Sequence, residues 1–339
     1  MKKLLLSLSL VCSVYTASAQ VLDTEDFESM TVGNIGTDIT GVTPGQNLWL
    51  TSVSGGANTN FQVIDNGAPY GKVFQLTGSA VATGTRFMWK DGFPDLWSFR
   101  DPGNDIIQVE YDFFTGPVTT SKNTQRVMIF NADRTQFLGG LMFTEDTKVI
   151  SGLSYYNNAG TLGNYSFNPT SGAVVLPANT WVRMGFSFNK TTGSILCKTG
   201  GTPALNMTIP GASTGVDPDE IDFIASAGTG NTVASVGLFD NYSVTATSTN
   251  TLLAVNQVAA PSAYAVYPNP ASTVITVSNK ANVGITSISL SDLNGRVVKQ
   301  ITIDNVATTQ VNIADLATGV YMMKINSKEG STIKKIIKN

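Results

Sequence analysis

Apolar and polar residues alternate with a period of two along most of this chain. In VRMGFSF, residues 182–188, Val182, Met184, Phe186 and Phe188 fall on one side and Arg183, Gly185 and Ser187 on the other. In IIQVEYDFF, residues 106–114, Ile107, Val109, Tyr111 and Phe113 make the apolar side, with Glu110 and Asp112 opposite. That period belongs to a strand with one face in a core and the other toward solvent or a ligand. Similar runs predict strands near 60–65, 72–77, 84–90, 125–130, 136–143, 148–156, 194–199, 219–225 and 233–245, with Gly, Asn, Asp and Thr turns between them. No window of useful length keeps a helical period. The expected fold is all-β, an antiparallel jelly-roll sandwich over residues 20–246.

The stretch TATSTNTLLAVNQVAAPSA, residues 245–263, has no Lys, Arg, Asp or Glu. It predicts a linker over 247–263. Beyond it, alternating runs near 274–278, 285–291, 296–303, 309–313, 319–326 and 331–337 predict a small Ig-like sandwich over 264–339. VYPNPAS, residues 266–272, opens that unit. Its two prolines lack N–H groups and bias the residues before them toward extended geometry, so it reads as a stiff boundary.

Charge divides the chain at the same place. Residues 20–256 carry 11 Lys and Arg against 20 Asp and Glu, and residues 257–339 carry 8 against 4. An acidic body argues against a nucleic-acid partner. Lys2 and Lys3, the apolar run Leu4 to Val14 and the Ala17-Ser18-Ala19 site predict a secretory signal peptide over 1–19. No other run is long and apolar enough to predict a transmembrane segment. Cleavage there removes Cys12 and leaves Cys197 as the one thiol, so the core must do without disulfides. The sequence contains no histidine. That excludes Ser-His-Asp and Cys-His catalysis and His-ligated zinc, and leaves carboxylates, Tyr, Lys and Arg for chemistry and hard oxygen ligands for metals.

Four features of residues 264–339 resemble, in order, the type A C-terminal sorting domain of type IX secretion cargo in Bacteroidetes. They are VYPNPAS with Tyr267, Pro268, Asn269 and Pro270, ISLSDLNGRVV with Gly295, LATGVYMMKI with Gly319 and Tyr321, and the basic end IKKIIKN with Lys334 and Lys335. The resemblance implies passage through the periplasm, recognition by the type IX machinery at the outer membrane, and release or attachment at the cell surface. Read locally, Asn294-Gly295 predicts a type I′ hairpin turn and Gly319 a tight turn before a strand.

The ends of the body, TEDFESMTVG and VGLFDNYSVTA, resemble concanavalin A-like (laminin-G-like) jelly rolls, whose first and last strands pair. The resemblance implies a structural calcium, with Asp26, Glu28 and Asp240 as its side-chain ligands. Retaining glucanases of this fold carry E-I-D-x-x-E on one strand. Here Glu220 and Asp222 match the first two positions but Ala225 stands at the third, and the pair Glu110 and Asp112 is followed by Thr115. Without the second glutamate the leaving group has no proton donor. A lyase-like pairing of Tyr155 or Tyr156 with Arg86, Arg126 or Arg183 has no specific support.

RFMWKDGFPDLWSFRD, residues 86–101, sets Trp89, Phe93 and Trp97 beside Arg100, and YYNN at 155–158 adds Tyr155 and Tyr156. Flat rings with a few polar groups suit a glycan ligand, although the same rings also serve a core. The expected function is that of an exported, non-catalytic module binding a polysaccharide or another surface ligand. The alternatives are a carboxylate-dependent glycoside hydrolase or polysaccharide lyase, and a structural matrix protein.

Overall fold

A computed structural model describes residues 19–253, 264–279, 284–327 and 330–339. The expected signal peptide, apart from Ala19, and the linker from 254 onward lie outside the described residues. Strands in the first half are β1 (Gln20–Glu25), β2 (Gly33–Asn34), β3 (Trp49–Ser54), β4 (Phe61–Asp65), β5 (Lys72–Thr77), β6 (Thr85–Lys90), β7 (Ile106–Phe114), β8 (Thr124–Phe130) and β9 (Phe137–Thr144). The body continues with β10 (Val149–Asn158), β11 (Thr161–Phe167), β12 (Val174–Val175), β13 (Trp181–Asn189), β14 (Ile195–Thr199), β15 (Asn206–Ile209), β16 (Glu220–Ser226) and β17 (Val236–Thr247). A short helix, α1 (Phe93–Ser98), interrupts the strands with Pro94 in its first turn.

Two sheets make the body. Sheet I runs β15-β14-β13-β7-β17-β1, with β5 and β4 joined to the far end of β17. Sheet II runs β11-β10-β9-β8-β16-β6-β3. β1 and β17, the first and last strands, pair antiparallel as expected, Gln20 opposite Ala246 and Glu25 opposite Tyr242. The apolar sides meet between the sheets. Val182, Met184, Phe186 and Phe188 lie there with Val109, Tyr111 and Phe113, all nearly inaccessible. At the centre Phe223 of sheet II packs edge-on against Phe74 and Phe239 of sheet I, with ring centroids 5.9 and 5.1 Å apart. Edge-to-face contact is the favoured geometry for such rings.

The polar side of β7 is not open to solvent. Residues 250–253 cross it, and Leu252 is buried against Gly185. Thr251 N–H donates to Gln108 Oε1 at 2.7 Å and Leu253 N–H to Glu110 Oε1 at 3.2 Å. The body therefore continues into the expected linker as far as Leu253.

The C-terminal unit has β18 (Tyr264–Tyr267), β19 (Val274–Asn279), β20 (Ile285–Asp292), β21 (Val297–Val306), β22 (Thr308–Asn312), β23 (Gly319–Ser327) and β24 (Gly330–Lys338). Its two sheets, β18-β19-β22 and β24-β23-β20-β21, enclose their own Ig-like core of Ile275, Val277, Ile288, Leu290, Val311 and Met323. The turn after β20 is not type I′. Gly295 is left-handed at φ 80° but Asn294 is not. Asp292 accepts from the N–H groups of Asn294 and Arg296 and fixes the alternative turn. Gly319 begins β23 itself instead of forming a turn before it.

Candidate functional site

The two acidic pairs belong to different sheets. Glu110 and Asp112 stand on the outer face of sheet I, where Arg183 Nη2 meets Glu110 Oε2 at 3.2 Å and residues 250–253 lie over the strand. Glu220 and Asp222 stand on the outer face of sheet II, since Ile221, Phe223 and Ala225 of the same strand enter the core. β16 lies mid-sheet between β8 and β6. The four carboxylates therefore share no cleft.

Arg134 grips Glu220 with two hydrogen bonds, Nε to Oε1 at 2.9 Å and Nη2 to Oε2 at 2.5 Å. Asp222 is buried next to Glu220. Burial first, then the neighbouring charge and a hydrogen bond to Glu220, push its carboxyl far above the usual carboxylate range. It therefore holds a proton at neutral pH. With Glu220 gripped by Arg134 and Asp222 kept protonated by burial, neither carboxyl is free to act as a base or nucleophile. The next outward position is occupied by Ile224.

Asp26, Glu28 and Asp240 come close enough to interact electrostatically, and Asp112 lies directly across from Asp240. Each of these carboxylates is nevertheless engaged by a protein donor. Asn241 N–H donates to Asp240 Oδ1 at 2.7 Å, its Nδ2 donates to Asp112 Oδ2 at 2.8 Å, and Lys72 N–H donates to Glu28 Oε1 at 2.8 Å. Among the described residues no three Asp, Glu or Cys side chains form a metal-ligand set. Burial pushes Asp240 up to about 7 against a downward pull from the Asn241 N–H, with smaller upward contributions from the charges of Asp112, Asp26 and Glu28.

The aromatic stretch 86–101 does not form a row of exposed rings. Trp97 and Phe93 point from α1 into the core. Trp97 Nε1 donates to Asp217 Oδ1 at 2.6 Å, and Arg100 covers its ring while pairing with Asp105. Trp89 is half-buried on the outer face of sheet II, with Gly41 against its indole, where a Cβ would come within 2.6 Å. Tyr155 and Tyr156 point to opposite faces. Tyr156 packs on Tyr165 and Phe167 at the core, while Tyr155 shares its side with Leu153. Two strands and two cross-strand rows separate Tyr155 from Arg126, so they form no catalytic pair.

Sheet II carries a second apolar cluster on this outer face. Met128, Phe130, Leu153 and Ile224 are buried there beneath half-buried Phe87, Phe137 and Met142. Arg126 lies in one cross-strand row with Ile224 and Met142. Its Nε donates to Thr124 Oγ1 at 3.2 Å, and it has no carboxylate partner among the described residues. Burial lowers its guanidinium from the ordinary arginine value. The signal for this face lay in strands such as TQRVMIF, where Val127 and Ile129 on one side and Met128 and Phe130 on the other are all apolar.

In the C-terminal unit the VYPNPAS prolines end β18, and Asn269 takes over the backbone's role. Its Nδ2 donates to the Lys335 carbonyl at 2.8 Å and its Oδ1 accepts from Ile337 N–H at 2.8 Å, which pins the segment along β24. Tyr321 is buried and donates to the Ala317 carbonyl at 2.9 Å. Lys334 and Lys335 sit on β24 facing the body.

A search of curated proteins finds no sequence match. Among solved structures, β-agarase A from Zobellia galactanivorans is 9% identical, with 68% of this chain and 93% of that chain covered at a TM-score of 0.43. The CBM2 module of the Lactobacillus casei BL23 phage J-1 evolved Dit is 10% identical, covering 69% and 98% at 0.42. A conserved carbohydrate esterase from Shiga toxin-encoding bacteriophage phi24B is 15% identical, covering 64% and 100% at 0.38. The match to a protein family is confined to the end of the chain. Residues 265–339 are a secretion system C-terminal sorting domain, which marks the protein for export by type IX secretion to the cell surface or extracellular space.

Proposed function

We propose that the body is a non-catalytic module that binds a glycan outside the cell, and that its ligand face is the outer face of sheet II. The carrying observation is Arg126, a guanidinium without a carboxylate partner among the described residues, in one cross-strand row with half-buried Met142 and Phe87, with half-buried Trp89 one row further along the same face. Apolar side chains suit the C–H faces of sugar rings, and a planar guanidinium matches a carboxylate two bonds at a time. A body with 20 acidic against 11 basic residues disfavours a densely charged polymer. The ligand class that fits is a glycan with isolated carboxylates, such as scattered uronic acids. The sorting domain implies the second partner, the type IX secretion machinery.

The test is a glycan array probed with the intact chain, with Arg126→Ala and Trp89→Ala alongside. Arg126→Ala should lose carboxylated glycans at least tenfold while keeping any weak neutral binding. Trp89→Ala should weaken both. A blank array together with no sugar release from any polysaccharide would sink this reading and its hydrolase rival, leaving a matrix role. Sugar release abolished by Asp222→Asn would revive the hydrolase.

A further inference from the structure

Sheet I does not stop at the edge of the body. β24 of the sorting domain pairs in parallel with β1, Gln20 opposite Ser331 and Val21 opposite Thr332, so one hydrogen-bonded sheet runs through both domains. Met322 and Ile333 project away from their own domain and join the body's core with Phe93 and Trp97 of α1. Gln20 Nε2 donates to the Phe99 carbonyl at 3.2 Å and ties β1 to the end of that helix. The segment that the sequence offered as a sugar platform therefore seats the sorting domain.

Charge follows the same pattern. Lys324 pairs with Asp101. Lys335 Nζ lies against Gly92, where a Cβ would come within 2.9 Å and where a φ of 85° also favours glycine. Lys334 Nζ reaches Thr24 Oγ1 at 3.4 Å, near Asp23 and Glu25. Residues 257–339 carry twice as many basic as acidic groups, 8 against 4, and the body has the opposite balance. Between the domains lies a cleft of about 470 Å³. Its body wall includes Asp23, Glu25, Trp49 and Tyr242, and Tyr267 and Lys334 close it from the other side.

We propose that the sorting domain is a docked plug instead of a loosely tethered tag. It occupies a surface of the body built for an extended basic strand, the free edge of β1 beside α1. It also closes the acidic, aromatic cleft beneath, which opens when the domain leaves. The occupant is this chain's own β24, GSTIKKIIK. The ten residues 254–263 that join Leu253 to Tyr264 hold the two domains at an effective concentration on the order of 1 mM. A dissociation constant below about 0.1 mM between the domains would therefore keep them more than nine-tenths docked.

The experiment places a protease site within 254–263 of the full chain, so that both halves are folded before they are cut. Association of the cut halves is then followed by sedimentation from 1 μM to 0.5 mM. Saturable association with a constant below 0.1 mM is expected, weakened by salt in the unmutated chain and weakened at least tenfold by Lys324→Glu with Lys334→Glu. Lys299→Glu, whose partner Asp315 lies within the sorting domain, serves as the control and should leave it unchanged. Amide exchange in β1 should quicken once the halves part. Folded halves that stay apart at 0.5 mM, or charge reversals no more harmful than the control, would overturn the proposal.

Discussion

Asp240 offers a measurement that separates two accounts of the acidic strand pair. Its carboxyl is 3% exposed, faces Asp112 across the sheet, and titrates near 7 in the folded protein against 3.8 as the ordinary value. Between those values the folded chain keeps a proton that the unfolded chain has released. Stability therefore falls as pH rises from about 4 to about 7 and levels off above. At about 1.4 kcal/mol per pH unit the loss is at most about 4.5 kcal/mol. Asp240→Asn keeps the shape and removes the titration. In urea melts with a chelator present, the variant should match the wild type at pH 4.5. At pH 8 it should be more stable by about 2–4 kcal/mol. A variant less stable than the wild type at pH 8 would refute the argument, because the ionised carboxylate would then be stabilised where it sits. Millimolar calcium provides the second arm. If the wild type gains stability from calcium at pH 8 and the variant does not, a structural calcium uses this carboxylate, with its other ligands drawn in by rearrangement.

Other perturbations have equally definite outcomes. Phe223→Ala, at the centre of the body core and fully inaccessible, should cost about 3–5 kcal/mol in the body's unfolding transition and leave the sorting domain's own transition in place. Asn269→Ala removes both hydrogen bonds that pin the sorting domain's opening segment to β24. It should cost about 1–2 kcal/mol in that domain and speed amide exchange at Ile337. Asp222 rests on the same linkage as Asp240, so Asp222→Asn should flatten the body's loss of stability as pH rises above 4, read by thermal melts across pH.

Strand positions were legible in the sequence because one face of each main strand is uniformly apolar. β7, β13 and β16 begin and end within a residue or two of where alternation places them. The strands that the pattern missed are β1, β3, β11, β15 and β18, with the two-residue β2 and β12. β1 alternates with charged Asp23 and Glu25, which its neighbours Lys90 and Lys334 satisfy, and β11 is polar on both sides because it lies at a sheet edge. α1 is six residues long, too short for any helical period to register. Pairing between β1 and β24 joins residues more than 300 apart in sequence, and nothing local announces it.

The candidate site was harder to read, since its chemistry depends on which face a residue takes and on what lies across from it. Glu220 and Asp222 resembled a catalytic pair by spacing. Spacing says nothing of Arg134, which neutralises one carboxylate, or of the burial that keeps the other protonated. Once those charges cancel, Arg126 stands out on the same face, although in the sequence it is one arginine among several. The stretch 86–101 shows the same limit from the other side. Its composition alone fits a sugar platform, a core or a docking surface. The turn at Gly92 and the helix that follows divide it among all three, with Trp89 on the sheet face, Phe93 and Trp97 in the core, and Gly92 and Asp101 under Lys335 of β24 and Lys324 of β23. Aromatic density signals burial, and only the fold decides whether that burial is by a ligand, by the body itself or by a second domain.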